Sequence, residues 1–321
     1  MIRKKVYIRA DADKQIGFGH FIRCLALADM LKEHFDCFFY TQQPSDYQIE
    51  EINKICTLKS LPSDDRKFQL FLDGLSGSEI VVLDNYFFTS DYQKAIKNKG
   101  CKLVVLGSND RHYYADVVIN YTNLKPEQFS KEAYTQLCLG LGWTLMRSPF
   151  YRQDRKKRIA NSFVICIGGT DQYCYTEKFA SYIRGMYPNA IIRVILTDVM
   201  GKDRIMKLKK DGYTTCVNLT AKTISEIFQI SEVALVSASG AAVEALSQQA
   251  NVIAGFYVDN QKNIYRTFIE EDYIWAIGDF AKSDSLQLLT DAINEVYKGN
   301  RKRIFESKNT VSKYQQLFLS L

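Results

Sequence analysis

The sequence has few of the residue patterns that identify metal sites. It contains eight cysteines and only three histidines, and no two cysteines form a CxxC pair. The ligand spacing of a structural zinc site is therefore absent, and we expect neither an obligatory metal nor another cofactor. Most of the cysteines lie in apolar runs, where a reduced thiol behaves as a small hydrophobe. This usage is typical of a reducing cytoplasm.

Charge and hydropathy argue against two further classes of protein. The net charge is +6, and the basic clusters are scattered without a nucleic-acid module around them, so we expect no nucleic-acid partner. A weaker alternative is that the surplus attracts an anionic small substrate. The most apolar stretch, residues 233–246, contains Glu244 and is too short to span a bilayer. Residues 1–8 are basic but have no apolar signal core, which favours a cytoplasmic protein without stable membrane insertion.

Apolar runs alternate with helical patterns along the chain, which predicts an α/β class. Continuous apolar runs between polar turns indicate strands buried on both faces of a parallel sheet. Strands are predicted at residues 5–10, 37–40, 80–83, 103–106, 116–120, 163–167, 190–196, 233–236 and 252–255. Helices are predicted at residues 20–32, 47–54, 65–75, 90–97, 175–186, 240–246, 283–297 and 301–319.

The length of 321 residues favours two domains. The charged segment 151–162 has the composition of a linker between them. The predicted boundaries are therefore 1–155 and 156–321. We expect a monomer or a weak oligomer.

Three strand ends are followed by small residues, in the segments IGFGH, IGGTD and SASGAAVE. Ligands of parallel α/β sheets bind at the carboxyl ends of strands, and helix N-termini bind anions. The three turns together therefore indicate a ligand with phosphate groups. A G-x-G-x-x-G fingerprint starting at Gly17 fails at Ile22, and a Walker loop is absent, so a nicotinamide dehydrogenase is not favoured.

His20 is the strongest catalytic candidate, because it lies in a glycine turn that opens a helix. The alternative is a structural histidine. Arg9 and Asp11 are two residues apart on a strand and so point to one face. They form either an ion pair that holds the loop, or a site in which Asp11 orients His20. Glu244, one turn into its helix, either serves the helix dipole or accepts hydrogen bonds from sugar hydroxyls.

These motifs resemble a known family. IRADADKQIGFGHFIRCLALA is similar to the opening signature of the UDP-2,4-diacetamido-2,4,6-trideoxy-β-L-altropyranose hydrolases of pseudaminic acid biosynthesis. The resemblance continues through VVLDNY, ADVVIN, LGLGWTLMRSPF, IGGTD and VSASGAAVEALSQQANVIAGFYVDNQ. It covers nearly the whole chain, and its first and last motifs are specific.

The resemblance implies a GT-B-like fold, in which two Rossmann-like, doubly wound domains face each other across a cleft. It implies hydrolysis of a UDP-sugar by water at the anomeric carbon with inversion, and it places the catalytic histidine at His20. The resemblance places Tyr86 and Asn260 at the sugar, and we expect further sugar contacts from Arg9, Gly17, Gly19, Arg23, Asn85 and Gln261. It places Gly168, Gly169, Ser239, Gly240 and Glu244 at the nucleotide, and we expect Thr170, Asp171, Ser237 and Ala238 of the same turns to lie there too.

Two alternatives remain open from the sequence. A glycosyltransferase of the same fold would use His20 to deprotonate an acceptor hydroxyl. A non-catalytic nucleotide-sugar binding protein would bind UDP without turnover. The presence of His20 disfavours the second alternative.

Overall fold

The computed structural model describes residues 3–13, 15–152, 156–307 and 309–321. Residues 153–155 of the predicted linker lie outside these ranges. The chain divides into two compact units, of which the first comprises Met1–Arg147 with Lys308–Leu321 and the second comprises Ser148–Ser307. Within the described ranges, no helix combines the length and apolar character needed to cross a membrane.

The first unit contains a seven-stranded sheet and a small two-stranded sheet. Its strands are β1 (Lys5–Arg9), β2 (Asp36–Gln42), β3 (Thr57–Leu61), β4 (Ile80–Leu83), β5 (Lys102–Leu106), β6 (His112–Tyr113), β7 (Val117–Asn120), β8 (Ser130–Lys131) and β9 (Gln136–Leu139). Its helices are α1 (Gly19–Leu31), α2 (Asp46–Asn53), α3 (Arg66–Asp73), α4 (Ser90–Asn98) and, from the chain's end, α11 (Thr310–Leu319). The large sheet is parallel, in the order β3-β2-β1-β4-β5-β7-β9.

The second unit contains a six-stranded parallel sheet in the order β12-β11-β10-β13-β14-β15. Its strands are β10 (Ile159–Cys166), β11 (Ile191–Leu196), β12 (Thr214–Val217), β13 (Ser231–Ser237), β14 (Asn251–Phe256) and β15 (Trp275–Asp279). Its helices are α5 (Tyr175–Met186), α6 (Lys202–Lys210), α7 (Ala221–Ile230), α8 (Gly240–Ser247), α9 (Lys262–Glu270) and α10 (Ser285–Tyr297). This strand order is typical of a doubly wound Rossmann-like sheet.

The central strands are buried on both faces, as the apolar runs predicted. Val81 and Leu83 of β4 contribute to one hydrophobic cluster, and the intervening Val82 on the opposite face is also fully buried. Alternate residues of a strand point to opposite faces, so both faces of β4 are covered. The parallel α/β class is confirmed.

The final helix differs from the predicted division of the chain, because α11 belongs to the first unit. The Gln315 amide donates a hydrogen bond to the carbonyl of Met30 at 3.0 Å. The Tyr314 hydroxyl donates to the carbonyl of Trp143 at 2.6 Å. Sequence position alone assigned this helix to the second domain, whereas its packing partners lie in the first unit.

Candidate active site

Both large sheets have a point where the strand order reverses, between β1 and β4 in the first unit and between β10 and β13 in the second. Ligands of open α/β sheets bind outside the carboxyl ends of strands at such a point. In the first unit, Arg9 pairs with Leu83 at this edge. The loop after β1 leads to His20 at the start of α1, and the loop after β4 carries Asp84, Asn85 and Tyr86.

The Asp11 carboxylate is bound to Arg9 and not to His20. Arg9 and Asp11 are fully buried and form a two-point ion pair, with Nη2 to Oδ2 at 2.8 Å. Burial raises the pKa of Asp11, but the hydrogen bonds and charge of Arg9, the Gln42 amide and Lys67 more than offset this and lower it. The expectation that Asp11 orients His20 is therefore corrected, and the ion pair that holds the loop is the arrangement observed.

The Asn85 side chain ties the two loops together. Its Oδ1 accepts a hydrogen bond from the backbone N–H of Asp11 at 2.7 Å, and its Nδ2 donates to the carbonyl of Asp11 at 3.2 Å. Asn85 was predicted to bind the sugar. Both the oxygen and the nitrogen of its amide are hydrogen-bonded to the backbone of Asp11. Asn85 therefore holds the loop after β1 against the loop after β4.

Asp84, and not Asp11, is the carboxylate that contacts His20. His20 is 5% exposed, and its Nδ1 lies 2.8 Å from Oδ1 of the buried Asp84. Burial raises the pKa of Asp84, but the charges and hydrogen bonds of Arg23 and His20 reverse this and hold the pKa well below its usual range. An ionised carboxylate can only accept a hydrogen bond, so when the ring is neutral Nδ1 donates and Nε2 is the basic atom. Nε2 has no hydrogen-bond partner in the part of the chain that the structure describes.

Tyr86 packs beside the histidine and is largely exposed. Its ring meets the His20 ring edge to face, with centroids 4.8 Å apart and planes at 83°, and 57% of the residue is accessible. Arg111 donates to the backbone carbonyl of Tyr86 at 3.0 Å and also to that of Phe88, which holds this loop. Tyr86 is thus an exposed aromatic side chain next to His20. Its predicted contact with a sugar stays a prediction.

The glycine turn before α1 leaves space around the start of the helix. Gly17 has φ +82°, a conformation that L side chains rarely adopt, and its N–H donates to the carbonyl of Asp13 at 2.8 Å. A Cβ at Gly17 or Gly19 would meet no atom within 4 Å. The first turn of α1 contains no acidic residue and no side-chain cap. Among the described residues, no capping side chain therefore binds the N-terminal amides beside His20.

In the second unit, Asp171 caps a helix of its own chain. Its buried carboxylate accepts from the amides of Tyr175 and Thr176 at 3.0 Å each and from Arg204 at 2.5 Å. The N-terminus of α5 is therefore already bound by a carboxylate. Asp171 was predicted to bind the nucleotide, and this capping role corrects that prediction. Thr170, beside it, is half-buried.

The backbone of the IGGTD turn is tightly fitted. Gly168 has φ +130°, and a Cβ there would lie 3.4 Å from the Tyr257 hydroxyl. The carbonyl of Gly169 accepts from the Thr197 hydroxyl. Tyr257 is itself held by Gln261, whose Oε1 accepts from the Tyr257 amide at 3.1 Å. Gln261 is buried and shapes this loop, whereas Asn260 beside it is exposed.

The SASG turn opens α8 at the end of β13. Ser239 caps α8 by accepting from the Ala241 amide at 3.3 Å, and it lies 3.0 Å from the Ser237 hydroxyl. The Ala238 amide donates to the carbonyl of Gly255 at 2.7 Å and is used within the sheet. Gly240 is exposed, with no atom within 4 Å of a Cβ placed there. This is the more open of the two predicted nucleotide turns.

Two candidates remain, Glu244 in the second unit and Arg23 in the first. Glu244 is buried on α8, and its predicted role with a nucleotide stays a prediction. Arg23 was predicted to bind the sugar, but its guanidinium is bound to Asp84 and Tyr121. The described residues contain no group of three or more His, Cys, Asp or Glu side chains placed to hold a metal ion.

Sequence comparison finds a relative whose match covers more than four fifths of the chain. No family model matches. The UDP-2,4-diacetamido-2,4,6-trideoxy-β-L-altropyranose hydrolase of Campylobacter jejuni is 26% identical over 276 residues, which covers 84% of this chain and 97% of the relative. This chain is similar to that hydrolase along most of its length. The resemblance drawn from the motifs is therefore confirmed. An uncharacterised protein of Methanocaldococcus jannaschii is 24% identical over 217 residues, covering 62% of this chain and 40% of that protein.

Structure comparison supports the fold alone. MurG of Acinetobacter baumannii matches with a TM-score of 0.59 and 10% identity, covering 99% of this chain and 100% of MurG. HepE of Anabaena, solved with UDP and glucose, matches with a TM-score of 0.58 and 10% identity over 99% of both chains. A structure from Listeria monocytogenes, described as that of a UDP-N-acetylglucosamine 2-epimerase, matches with a TM-score of 0.60 and 10% identity, covering 98% of this chain and 95% of that chain. The GT-B-like class with two Rossmann-like units is confirmed.

Proposed function

We propose that this protein is a UDP-sugar hydrolase, in which water attacks the anomeric carbon and UDP leaves. The observation that carries the proposal is the His20–Asp84 pair at the switch point of the first sheet, in a chain similar to a hydrolase of this kind. The proposed substrate is the one in the relative's name, a UDP-linked 2,4-diacetamido-2,4,6-trideoxy hexose. The proposed pathway is pseudaminic or nonulosonic acid biosynthesis.

His20 acts as the general base in this proposal. Asp84 fixes the Nδ1–H tautomer, so Nε2 takes a proton from water as the oxygen attacks the anomeric carbon. The carboxylate then stabilises the imidazolium that forms, while the C–O bond to UDP breaks and the sugar is released with inverted configuration. A positioned base of this kind typically contributes about 10²–10⁴-fold to the rate.

The second unit binds UDP in this proposal, with the start of α8 as its anion site. The exposed Gly240 amide and the positive end of α8 meet the developing charge of the leaving diphosphate. The N-terminus of α5 is less favoured as the main phosphate site, because the Asp171 carboxylate already accepts from two of its amides. In this proposal backbone N–H groups stabilise the charge of the leaving diphosphate, so no metal ion is required for that step. We therefore expect turnover to continue in the presence of a chelator.

The test is turnover without an acceptor. The purified protein is incubated with UDP-2,4-diacetamido-2,4,6-trideoxy-β-L-altrose and a panel of other UDP-amino sugars, and phosphorus NMR follows UDP while proton NMR follows the free sugar. Release of UDP and free sugar in equal amounts supports the hydrolase, and His20→Asn is the control for a contaminant. Turnover that needs an added acceptor would identify a glycosyltransferase. Tight UDP binding with no turnover would identify a binding protein.

We further propose that the reaction takes place in the cytoplasm, on a monomer or weak oligomer. All eight cysteines are free in the structure, which is typical of a reducing compartment. Subcellular fractionation and sedimentation velocity test these two points.

A further inference from the structure

Arg23 lies one helical turn after His20, and all three nitrogens of its guanidinium donate to neighbouring side chains. Nε donates to Oδ2 of Asp84 and Nη2 to Oδ1, each at 2.5 Å. Nη1 donates to the Tyr121 hydroxyl at 2.7 Å. A two-point arginine–carboxylate pair of this kind fixes geometry as well as charge. Arg23 therefore holds Asp84 in one orientation from the helix that carries His20.

The same guanidinium comes close to the histidine ring. Nη2 of Arg23 lies 3.1 Å from Nδ1 of His20, and both nitrogens point at Oδ1 of Asp84. A guanidinium can only donate, and Nδ1 of His20 already donates to the carboxylate. The contact between Nη2 and Nδ1 is therefore one between two donors that share one acceptor. A positive charge at this distance opposes a second positive charge on the ring.

The other groups recorded at His20 and Asp84 carry no full charge. They are the thiol of Cys24 from α1 at Asp84 and the ring of Tyr86 from the loop after β4 at His20. The hydroxyl of Tyr121, from the segment after β7, contacts Arg23 and is also neutral. Burial and Asp84 raise the pKa of the Cys24 thiol, so it donates to the carboxylate as a neutral group. Among these recorded contacts, Asp84 is the single anion and Arg23 the single cation that act on the ring.

We propose that Arg23 is a positioning residue that sets the pH range in which His20 acts as a base. It holds the Asp84 carboxylate in place for the Nδ1–H tautomer, and its charge disfavours the doubly protonated ring. Without it, a doubly protonated His20 would form an unopposed ion pair with Asp84. The ring would then stay protonated to higher pH, and Nε2 would be blocked near neutral pH.

The kinetic test compares two substitutions of Arg23, and this part rests on the proposed hydrolase function. In Arg23→Gln, the acidic limb of the activity profile moves up by about 1–3 pH units, the usual effect of a neighbouring charge. Arg23→Lys keeps the charge but loses the two-point geometry. We therefore expect its acidic limb to lie closer to the wild-type position than that of Arg23→Gln, and its kcat to lie below that of the wild type. Arg66→Gln is the matched control, because Arg66 makes the same kind of pair with Asp64 on the exposed surface.

The decisive test needs no substrate. Ring-nitrogen NMR follows the three histidines with pH, and His20 is assigned by the signal that His20→Asn removes. We expect the His20 signal of Arg23→Gln to change to the doubly protonated form at higher pH than in the wild type, with Arg23→Lys in between. An unchanged or lower transition in Arg23→Gln, or equal shifts in both variants, overturns the proposal. If Arg23→Gln does not fold, Arg23→Lys and Tyr121→Phe are measured instead. We expect a smaller upward shift of the His20 transition in each. An unchanged transition in both variants overturns the proposal.

Because the NMR result stands apart from turnover, it separates the two hypotheses. A shifted transition in a protein that hydrolyses no UDP-sugar supports the role of Arg23 and rejects the proposed reaction. Normal hydrolysis of the UDP-sugar with an unshifted His20 transition supports the proposed reaction and rejects the role of Arg23.

Discussion

The His20 ring and the Asp84 carboxylate are joined by a 2.8 Å hydrogen bond between residues 64 positions apart in the chain. Parallel pairing of β1 with β4 brings them together, because each residue follows the carboxyl end of its strand. The pair is the basis of the first prediction.

Asp84→Asn should lower kcat by about 10²–10⁴-fold, in the range expected for loss of general-base function. The amide can donate to Nδ1, which favours the tautomer with the proton on Nε2 and so blocks the base. Steady-state kinetics on the UDP-sugar measure the effect, and circular dichroism checks the fold. Asp64→Asn, at an exposed aspartate with an arginine partner, is the control. A fully active Asp84→Asn enzyme would remove this carboxylate from the mechanism.

The second prediction concerns acid stability of the first unit. Asp11 and Asp84 are both buried with pKa values lowered below the ordinary value. A lowered folded-state pKa stabilises the protein above the unfolded-state pKa of about 3.9, and this stabilisation is lost as the pH falls through the folded-state values. We therefore expect the free energy of unfolding of this unit to decline below about pH 5.

The two tryptophans allow this unit to be followed separately, because Trp143 lies in the first unit and Trp275 in the second. Urea unfolding of Trp275→Phe, read by fluorescence at pH 7 and pH 3, measures the first unit. Adding Asp11→Asn should make the unfolding midpoint less dependent on pH, whereas adding Asp64→Asn should not. A first unit whose midpoint is the same at both pH values would contradict the prediction.

The apolar centre of each sheet was predictable from the sequence, and the sheet edges were not. Strand β4 was predicted with its observed bounds, and the predicted strand at residues 233–236 forms the centre of β13 (Ser231–Ser237), because buried parallel strands are continuous apolar runs. Strands β3 (TLKSL) and β12 (TTCV) lie at sheet edges, contain polar residues and were missed. Their extended form depends on hydrogen bonds to β2 and β11, which no local pattern records.

The last helix shows the same limit. A helix was predicted over residues 301–319, but it begins at Thr310, after Asn309 in the left-handed conformation. The segment before it is bound elsewhere, since the Arg303 amide donates to the carbonyl of Asp272. The backbone before Thr310 therefore makes tertiary hydrogen bonds, which a prediction from local sequence does not include.

His20 and Tyr86 were both site candidates from the sequence, and the structure brings their rings together. The sequence did not identify the carboxylate that contacts His20. The partner of His20 was wrong, because Asp11 is near it in the chain whereas Asp84 is near it in the sheet. Choosing between them requires knowing that β4 lies beside β1, and the sequence does not give the strand order.

The third prediction tests the corrected role of Asp171. Asp171→Ala should destabilise the second unit by at least about 1–2 kcal/mol, because two amides of α5 lose their cap. Urea unfolding of Trp143→Phe, read through Trp275, measures this. Asp198→Ala, at an acidic residue in the first turn of a short 3₁₀ helix, is the control. Unchanged stability together with a large loss of UDP affinity would restore Asp171 to the nucleotide site.

The fourth prediction places UDP at α8. Glu244→Ala should weaken UDP binding by about 1–3 kcal/mol, as expected for lost hydrogen bonds to a charged group. Calorimetry on the full chain measures it. Glu226→Ala is the control and should bind UDP normally. Glu226 is a half-exposed glutamate on the neighbouring helix α7, where it pairs with Lys156. Equal affinities in both variants would remove Glu244 from the site.

The fifth prediction tests the base itself, and it is the one on which the proposed mechanism depends. His20→Asn keeps a side chain that can hydrogen-bond Asp84 but removes the group that accepts a proton from water. We expect kcat to fall by about 10²–10⁴-fold. UDP affinity should be unchanged, because the proposed nucleotide site lies in the second unit. The acidic limb of the wild-type activity profile should be absent from the variant.

His34→Asn is the matched control, since His34 is an exposed histidine after α1. It should retain wild-type kcat and the same pH profile. A His20→Asn enzyme with most of its activity would mean that another group activates the water. Asp11 would be a poor replacement, because its carboxylate is buried against Arg9. Residual activity with an unchanged acidic limb would therefore shift attention to groups outside the His20–Asp84 pair.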